Sequence, residues 1–450
     1  MADSLNLCFE GYTKYSKNNA VWSTWTFDEL IYVYPPSMVD EIKAYPPDQL
    51  NFSEIVEDQF LWHLYMGNTL TERKYVHAVQ KHLISNLPDM TEYLAQTVQE
   101  ALIQRLAPPE HSNGWRVVML WDALIDVANM TVGHAMVGEE MVSHPDYLKH
   151  ATGYIDTVTG HSVTMFLLPA VLREPYFWLS SWGRRARSHL HAVKRMVIPE
   201  LGRLQREGKS GPSRAMVEKM LAKPVDEMTP KEADEIVNQM LILTFAAAGM
   251  WCMIQCQIVL TYLAHPEFAH ELRQEITQQL AIHGGWTRQA VAAMPKLDSF
   301  LRETLRCSPP IIYTIQRKAM KELVLSDGSV LPPGQKLMIP TLSLLRDPAI
   351  YPDPDTFNPW RWYDAKENKT KLQAVTQTAE FPVFGFGNQT CPGRFFGLLL
   401  TKLTFAQLII DYEVKFVPER KGKPVDWPIG AALMPNLDTF VAMRRLPGHR

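Results

Sequence analysis

Apolar and polar positions follow a helical period over most of this chain. That spacing predicts amphipathic helices over residues 71–87, 88–106, 114–137 and 186–208. Residues 231–263 read as one very long helix, about 45–50 Å at 1.5 Å per residue, and His265-Pro266-Glu267 restarts the next. Strand signals are sparser. Residues 21–34 alternate β-branched and aromatic side chains and stop at Pro35-Pro36, which reads as a small N-terminal sheet. Shorter strand-like pieces separated by turn residues occupy 323–339, and 431–444 reads as a closing hairpin.

Composition narrows this picture. A chain of 450 residues is long enough for several domains, yet no repeat, low-complexity tract or long Gly/Ser linker divides it. The most linker-like stretch, 206–213, is short and polar and reads as a loop between two helices. The expectation is therefore one mainly α domain with small β-sheets over 1–450. A net charge of −3 lacks the basic footprint that nucleic acid requires. Five cysteines (Cys8, Cys252, Cys256, Cys307, Cys391) make no disulfide framework at this length and point to a reducing compartment. Cys252 and Cys256 stand four apart on a predicted helix, but no second ligand pair completes a metal site. Asn-x-Ser/Thr triplets at Asn51, Asn129, Asn368 and Asn388 read as chance matches. No run of about eighteen uncharged apolar residues opens the chain, so no N-terminal membrane helix is expected in it.

The chemistry concentrates near the C-terminus, in Phe384-Gly385-Phe386-Gly387-Asn388-Gln389-Thr390-Cys391-Pro392-Gly393, followed by Arg394-Phe395-Phe396-Gly397 and an apolar helical stretch. A cysteine at a helix start has its thiolate favoured by the helix dipole. Glycines beside it let backbone approach a flat ligand closely. Such a thiolate suits an axial heme ligand, although a cysteine beside glycines is, taken alone, more often just a buried small residue.

This segment resembles the heme-binding signature of the cytochrome P450 superfamily, Phe-x-x-Gly-x-x-x-Cys-x-Gly, at Phe384, Gly387, Cys391 and Gly393. Glu303-Thr304-Leu305-Arg306 is similar to the family's Glu-x-x-Arg helix pair, and Tyr351 to Trp362 to its meander. The resemblance runs from about Gly11 to the C-terminus and is nearest in style to fungal enzymes of secondary metabolism. It implies the mainly helical P450 fold and heme b with Cys391 as the iron ligand. It also implies a structural network of Glu303, Arg306 and Arg361, and propionate contacts from Arg317. Gln389 stands where relatives usually carry Arg or His, so one charged contact is missing. His77 and Lys81 read as a solvated helix face.

A sharper departure lies in the long helix. Relatives carry an acid (or a substitute) and a threonine over the iron. Phe245-Ala246-Ala247 and His265-Pro266-Glu267 fix a register that places Gly249, Met250 and Trp251 there; a slid register would put Cys252 at the threonine position. Neither supplies an alcohol. By family position the substrate pocket takes in Ala246, Ile312, Tyr313, Leu433 and Met434, and Phe60 to Trp62, apolar groups suited to a hydrophobic ligand.

The resemblance implies O2 activation and oxidation (hydroxylation, epoxidation or desaturation) of a natural product such as a terpenoid or alkaloid. Ring formation, rearrangement or dehydration is the alternative that the missing alcohol raises. With no Gly-x-Gly-x-x-Gly fingerprint, electrons are expected from a separate NADPH–cytochrome P450 reductase at the endoplasmic reticulum membrane surface.

Overall fold

The computed structural model describes residues 3–26, 29–107, 113–144, 146–166, 168–207, 216–221 and 223–446. The chain is mainly α with small sheets. It packs as two compact units, neither continuous in sequence. One comprises Met1–Phe52, Val98–Ile125 and Met250–Arg450, and the other Ser53–Thr97 and Asp126–Gly249. Three of the four crossings fall inside helices (Leu87–Leu106, Leu120–Val137 and Pro230–Ala264), so no linker composition marks them.

The first unit holds the sheets. Trp22–Thr26 pairs antiparallel with Glu29–Val33, which runs parallel to Lys336–Ile339; Thr314–Ala319 and the short edge strand Leu50–Asn51 complete five strands. The 323–339 pieces resolve into a small Leu323–Val324 and Val330–Leu331 pairing, then the Lys336–Ile339 strand of this sheet. A second sheet orders Tyr412–Val417, Phe440–Arg445 and Trp115–Met119.

Two sequence expectations change here. Residues 114–119 are strand, because the aromatic and β-branched run Trp115-Arg116-Val117-Val118 pairs with Phe440–Arg445, and the helix starts only at Leu120. Residues 431–444 are not one hairpin. Ala432–Met434 turns back onto Trp427–Ile429 through Gly430 at φ +59°, while Phe440–Arg445 joins the other sheet.

In the second unit, helices Tyr147–Phe166 and Ser181–Glu207 pack against each other. The 71–87 stretch is a series of short turns, Lys74–Ala78, Val79–Leu83 and Ile84–Asn86, before the Leu87–Leu106 helix begins with Pro88 in its first turn. The long helix spans Pro230–Ala264 and the 186–208 pattern belongs to Ser181–Glu207; Gly208 to Ser213 of the expected loop lie outside the described residues.

Candidate functional site

The Cys391 loop is built by two left-handed glycines. Gly385 (φ +76°) and Gly387 (φ +80°) turn the chain. A Cβ on Gly387 would stand 2.7 Å from Lys43 Cβ and 2.8 Å from its carbonyl oxygen, so only glycine fits. The Cys391 N–H then donates to the Phe384 carbonyl at 2.8 Å, closing the loop, and Gly393 caps the Arg394–Asp411 helix.

This placement leaves Cys391 exposed. Burial of the sulfur's immediate surroundings pushes its thiol pKa up, opposed by hydrogen bonds from the Gly393 and Arg394 N–H groups and by the Arg394 charge. Those N–H groups are the orphan donors of a helix start, aimed at the thiolate. An added Cβ on Gly393 or Gly397 would meet nothing within 4 Å. An exposed cysteine, two N–H donors behind its sulfur and side-chain-free backbone beside it suit the face of a flat macrocycle.

Three residues expected at the cofactor are placed as follows. Gln389 is buried, and its amide is turned to the edge strand: Oε1 accepts from the Phe52 N–H at 2.9 Å and Nε2 donates to the Leu50 carbonyl at 2.7 Å. Arg317 is buried beside a bulge in its strand, with Nη1 donating to the Gln316 carbonyl at 2.7 Å. Phe384 is half-buried, with its N–H on the Gln377 side-chain oxygen at 2.9 Å.

Glu303, Arg306 and Arg361 are brought together. Arg306 donates to both Glu303 oxygens at 2.8 and 2.9 Å, and Arg361 Nε to both at 3.1 Å. The Trp362 indole at 3.2 Å and the Asn358 N–H at 3.2 Å complete the carboxylate's shell. Arg302, unremarked in the sequence, is equally buried. It donates to the Gln373 and Thr376 carbonyls at 2.7 Å and lies 3.7 Å from the Phe381 ring centroid, while burial lowers its pKa to about 10. Its sequence signal is the position one before Glu303.

On the long helix, Ala246 and Met250 are exposed and Gly249 half-exposed, while residues 251–262 after them are all buried. At i, i+3 and i+4 they share one face. Trp251 points elsewhere and is 3% exposed. Cys252 is buried with Sγ 3.7 Å from the Trp121 carbonyl, so the slid register finds no support. The nearest preceding hydroxyl, Thr244, is spent on the Met240 carbonyl at 2.9 Å. Ile312, Tyr313 and Leu433 are not open lining: they share a core cluster with Cys8, Trp22 and Leu342. Met434 is half-buried, as is Ile311, whose bridge to Ala432 joins the two segments.

The family model for cytochrome P450 matches residues 71–442. The cytochrome P450 monooxygenase sirB of Leptosphaeria maculans is 28% identical over 95% of this chain and 83% of its own length. The monooxygenase verB of Clonostachys rogersoniana is 25% identical over 97% of this chain and 87% of its own. Among solved structures, the retinoic-acid-bound cyanobacterial CYP120A1 superposes with a TM-score of 0.69 at 19% identity, covering 97% of this chain and 93% of that one.

Proposed function

The chain belongs to the cytochrome P450 family and is a monooxygenase of it; on that premise we propose that it oxidises a hydrophobic natural product, such as a terpenoid or alkaloid, in secondary-metabolite biosynthesis. The observation that carries this reading is the exposed Cys391, with its sulfur in front of the Gly393 and Arg394 N–H groups.

Cys391 would hold the iron of heme b, and the two N–H donors and the helix start would keep the sulfur anionic. Gly385, Gly387 and Gly393 would keep the loop free of side chains at the macrocycle. Bound there, heme supplies reductive activation of dioxygen, with the thiolate favouring O–O cleavage. The Ala246, Gly249 and Met250 face offers substrate an apolar surface. Met250 cannot donate a proton, so water or a substrate hydroxyl would have to bring protons to that face. Electrons would come from a separate NADPH–cytochrome P450 reductase, on the cytosolic face of the endoplasmic reticulum membrane. Among the described residues one helix, Pro230–Ala264, is long and apolar enough to cross a membrane, and 72% of its apolar window is buried in the protein.

The absence of an alcohol on the Met250 face favours a second reading, in which the same site carries out ring formation, rearrangement or dehydration. Turnover of lipophilic extracts with reductase and NADPH under isotopically labelled dioxygen separates the two. Label in the product is the expected result; an oxidised or rearranged product without label would favour the second reading. Cys391→Ser should abolish the thiolate-type spectrum of the reduced CO complex, and its survival would overturn the ligand assignment.

A further inference from the structure

Two histidines meet across the packed helix pair of the Ser53–Thr97 and Asp126–Gly249 unit. His150 lies on the Tyr147–Phe166 helix and His189 on the Ser181–Glu207 helix, with their Nδ1 atoms 3.1 Å apart. The ring centroids are 5.2 Å apart and the planes tilted by 59°, so nitrogens and not ring faces make the contact. As a hydrogen bond, it has one Nδ1–H donating to the lone pair of the other Nδ1. Both side chains are half-buried, seated in the helix seam yet within reach of solvent.

A glycine makes room for this contact. Gly153 stands three residues after His150, on the same helix face. A Cβ on it would lie 2.6 Å from Cε1 of His189 and 3.0 and 3.1 Å from its two ring nitrogens. Alanine is the better residue inside a helix, but here it would push the His189 ring away from His150. The separation itself suits chelation. With metal–nitrogen bonds of about 2.0–2.1 Å, nitrogens 3.1 Å apart subtend about 95–100° at the metal, and the tetrahedral angle needs only about 0.2–0.3 Å more. Among the described residues no group of three His, Cys, Asp or Glu side chains could hold a metal ion, which leaves water for the other positions. The charges acting on the His189 ring are mixed: Arg185 and Lys149 oppose a cation there and Asp156 favours one. Arg185 has the Trp182 ring, 4.3 Å from its guanidinium, and Lys149 has Asp146 at 3.8 Å.

We propose that His150 and His189 form a two-histidine site for a divalent late first-row cation of the Zn2+ class, which clamps the two helices together. Binding needs both Nδ1 lone pairs. The ring that donates the hydrogen bond therefore moves its proton from Nδ1 to Nε2, and no net proton is released. Each Nδ1 then gives one electron pair to the cation, and two of the cation's waters leave. Imidazole nitrogen selects this class over Ca2+ and Mg2+, which take oxygen ligands. The site lies within one unit and does not depend on the heme-thiolate reading.

The test uses the heme-loaded full chain, without a histidine tag and freed of loosely held metal by EDTA. Equilibrium dialysis against Zn2+ at pH 8, where ordinary imidazole is neutral, should load this site, and the thermal midpoint should rise with Zn2+ concentration. Affinity should fall roughly tenfold or more in His150→Gln and in His189→Gln. It should keep its wild-type value in His191→Gln, which removes an exposed histidine of the same helix. Gly153→Ala should weaken binding too, even though it improves the helix, because its Cβ displaces the His189 ring. Cu2+ as a second probe should show two imidazole nitrogens by electron paramagnetic resonance, and one in either histidine variant. Circular dichroism checks that each variant folds; should a histidine variant fail, Gly153→Ala carries the test. A wild type that takes up no Zn2+, or affinity unchanged in the folded histidine variants or in Gly153→Ala, would overturn the site. An equal loss in His191→Gln would mean scattered surface binding and would overturn it as well.

Discussion

A methyl group at position 387 has nowhere to go. It would sit 2.7 Å from Lys43 Cβ on backbone at φ +80°. Gly387→Ala therefore combines a clash with left-handed strain, about 1–3 kcal/mol. The loop should relax by withdrawing Cys391 from its helix start, so heme retention falls along with the urea midpoint. Absorbance of heme relative to protein after gel filtration reads the first, and wild-type values for both would show that the loop tolerates the change. Met250 poses the opposite question, since it has room. Met250→Thr places a hydroxyl on the exposed face, and product formed per NADPH consumed should rise; an unchanged ratio would mean that protons already arrive by another route. Cys391 and its glycines are legible in the sequence because spacing and residue type are the whole signal. The part played by Gln389 is not, because its partners, Leu50 and Phe52, lie more than three hundred residues away in the chain.

At the scale of elements, the same glutamine acts as a missing strand. Its amide completes both a donor and an acceptor on the edge formed by Leu50–Asn51, a strand too short to leave a period-two pattern. Gln389→Ala should leave a part-buried N–H and C=O without that partner, costing about 1–3 kcal/mol. The thermal midpoint should drop while the CO spectrum of the protein that remains folded keeps its thiolate form; loss of that spectrum with an unshifted midpoint would point instead to a direct heme contact. Leu87–Leu106 was legible because burial of one face repeats over many turns, and Pro230–Ala264 because its apolar run is far too long for a strand. The 114–119 and 431–444 segments misled because short apolar runs fit either period, and only the pairing of Phe440–Arg445 with Trp115–Met119 decides between them. Ile312, Tyr313 and Leu433 misled for a related reason: apolar character marks core and pocket alike.

For the molecule as a whole, stability hangs on a few buried charges and neutral polar groups. His161 binds a proton less readily folded, near pH 4, than unfolded, near its ordinary 6.5. Its contribution is full above pH 6.5 and is lost as pH falls towards 4, since the unfolded chain then takes the proton first. Urea midpoints at pH 7 and 5 should converge in His161→Gln relative to the wild type. Glu303 is the larger case. It is fully buried and takes hydrogen bonds from Arg306, itself fully buried, and from Arg361, Trp362 and Asn358. Through Arg306 the same network reaches the Leu345 and Pro354 carbonyls, so one carboxylate ties the Pro295–Cys307 helix to the turns that lead into the cysteine loop. Replacing the entire network with apolar groups need not cost much, but removing one member strands the others. Glu303→Ala leaves Arg306 as a buried charge without its counterion, a loss of about 3–5 kcal/mol. Arg361 is partly exposed, so Arg361→Gln lets water take over and should cost less. The expected order of heme-loaded, folded yield is wild type, then Arg361→Gln, then Glu303→Ala. Equal yields for the two variants would mean that the meander is held by its backbone contacts and not by this carboxylate.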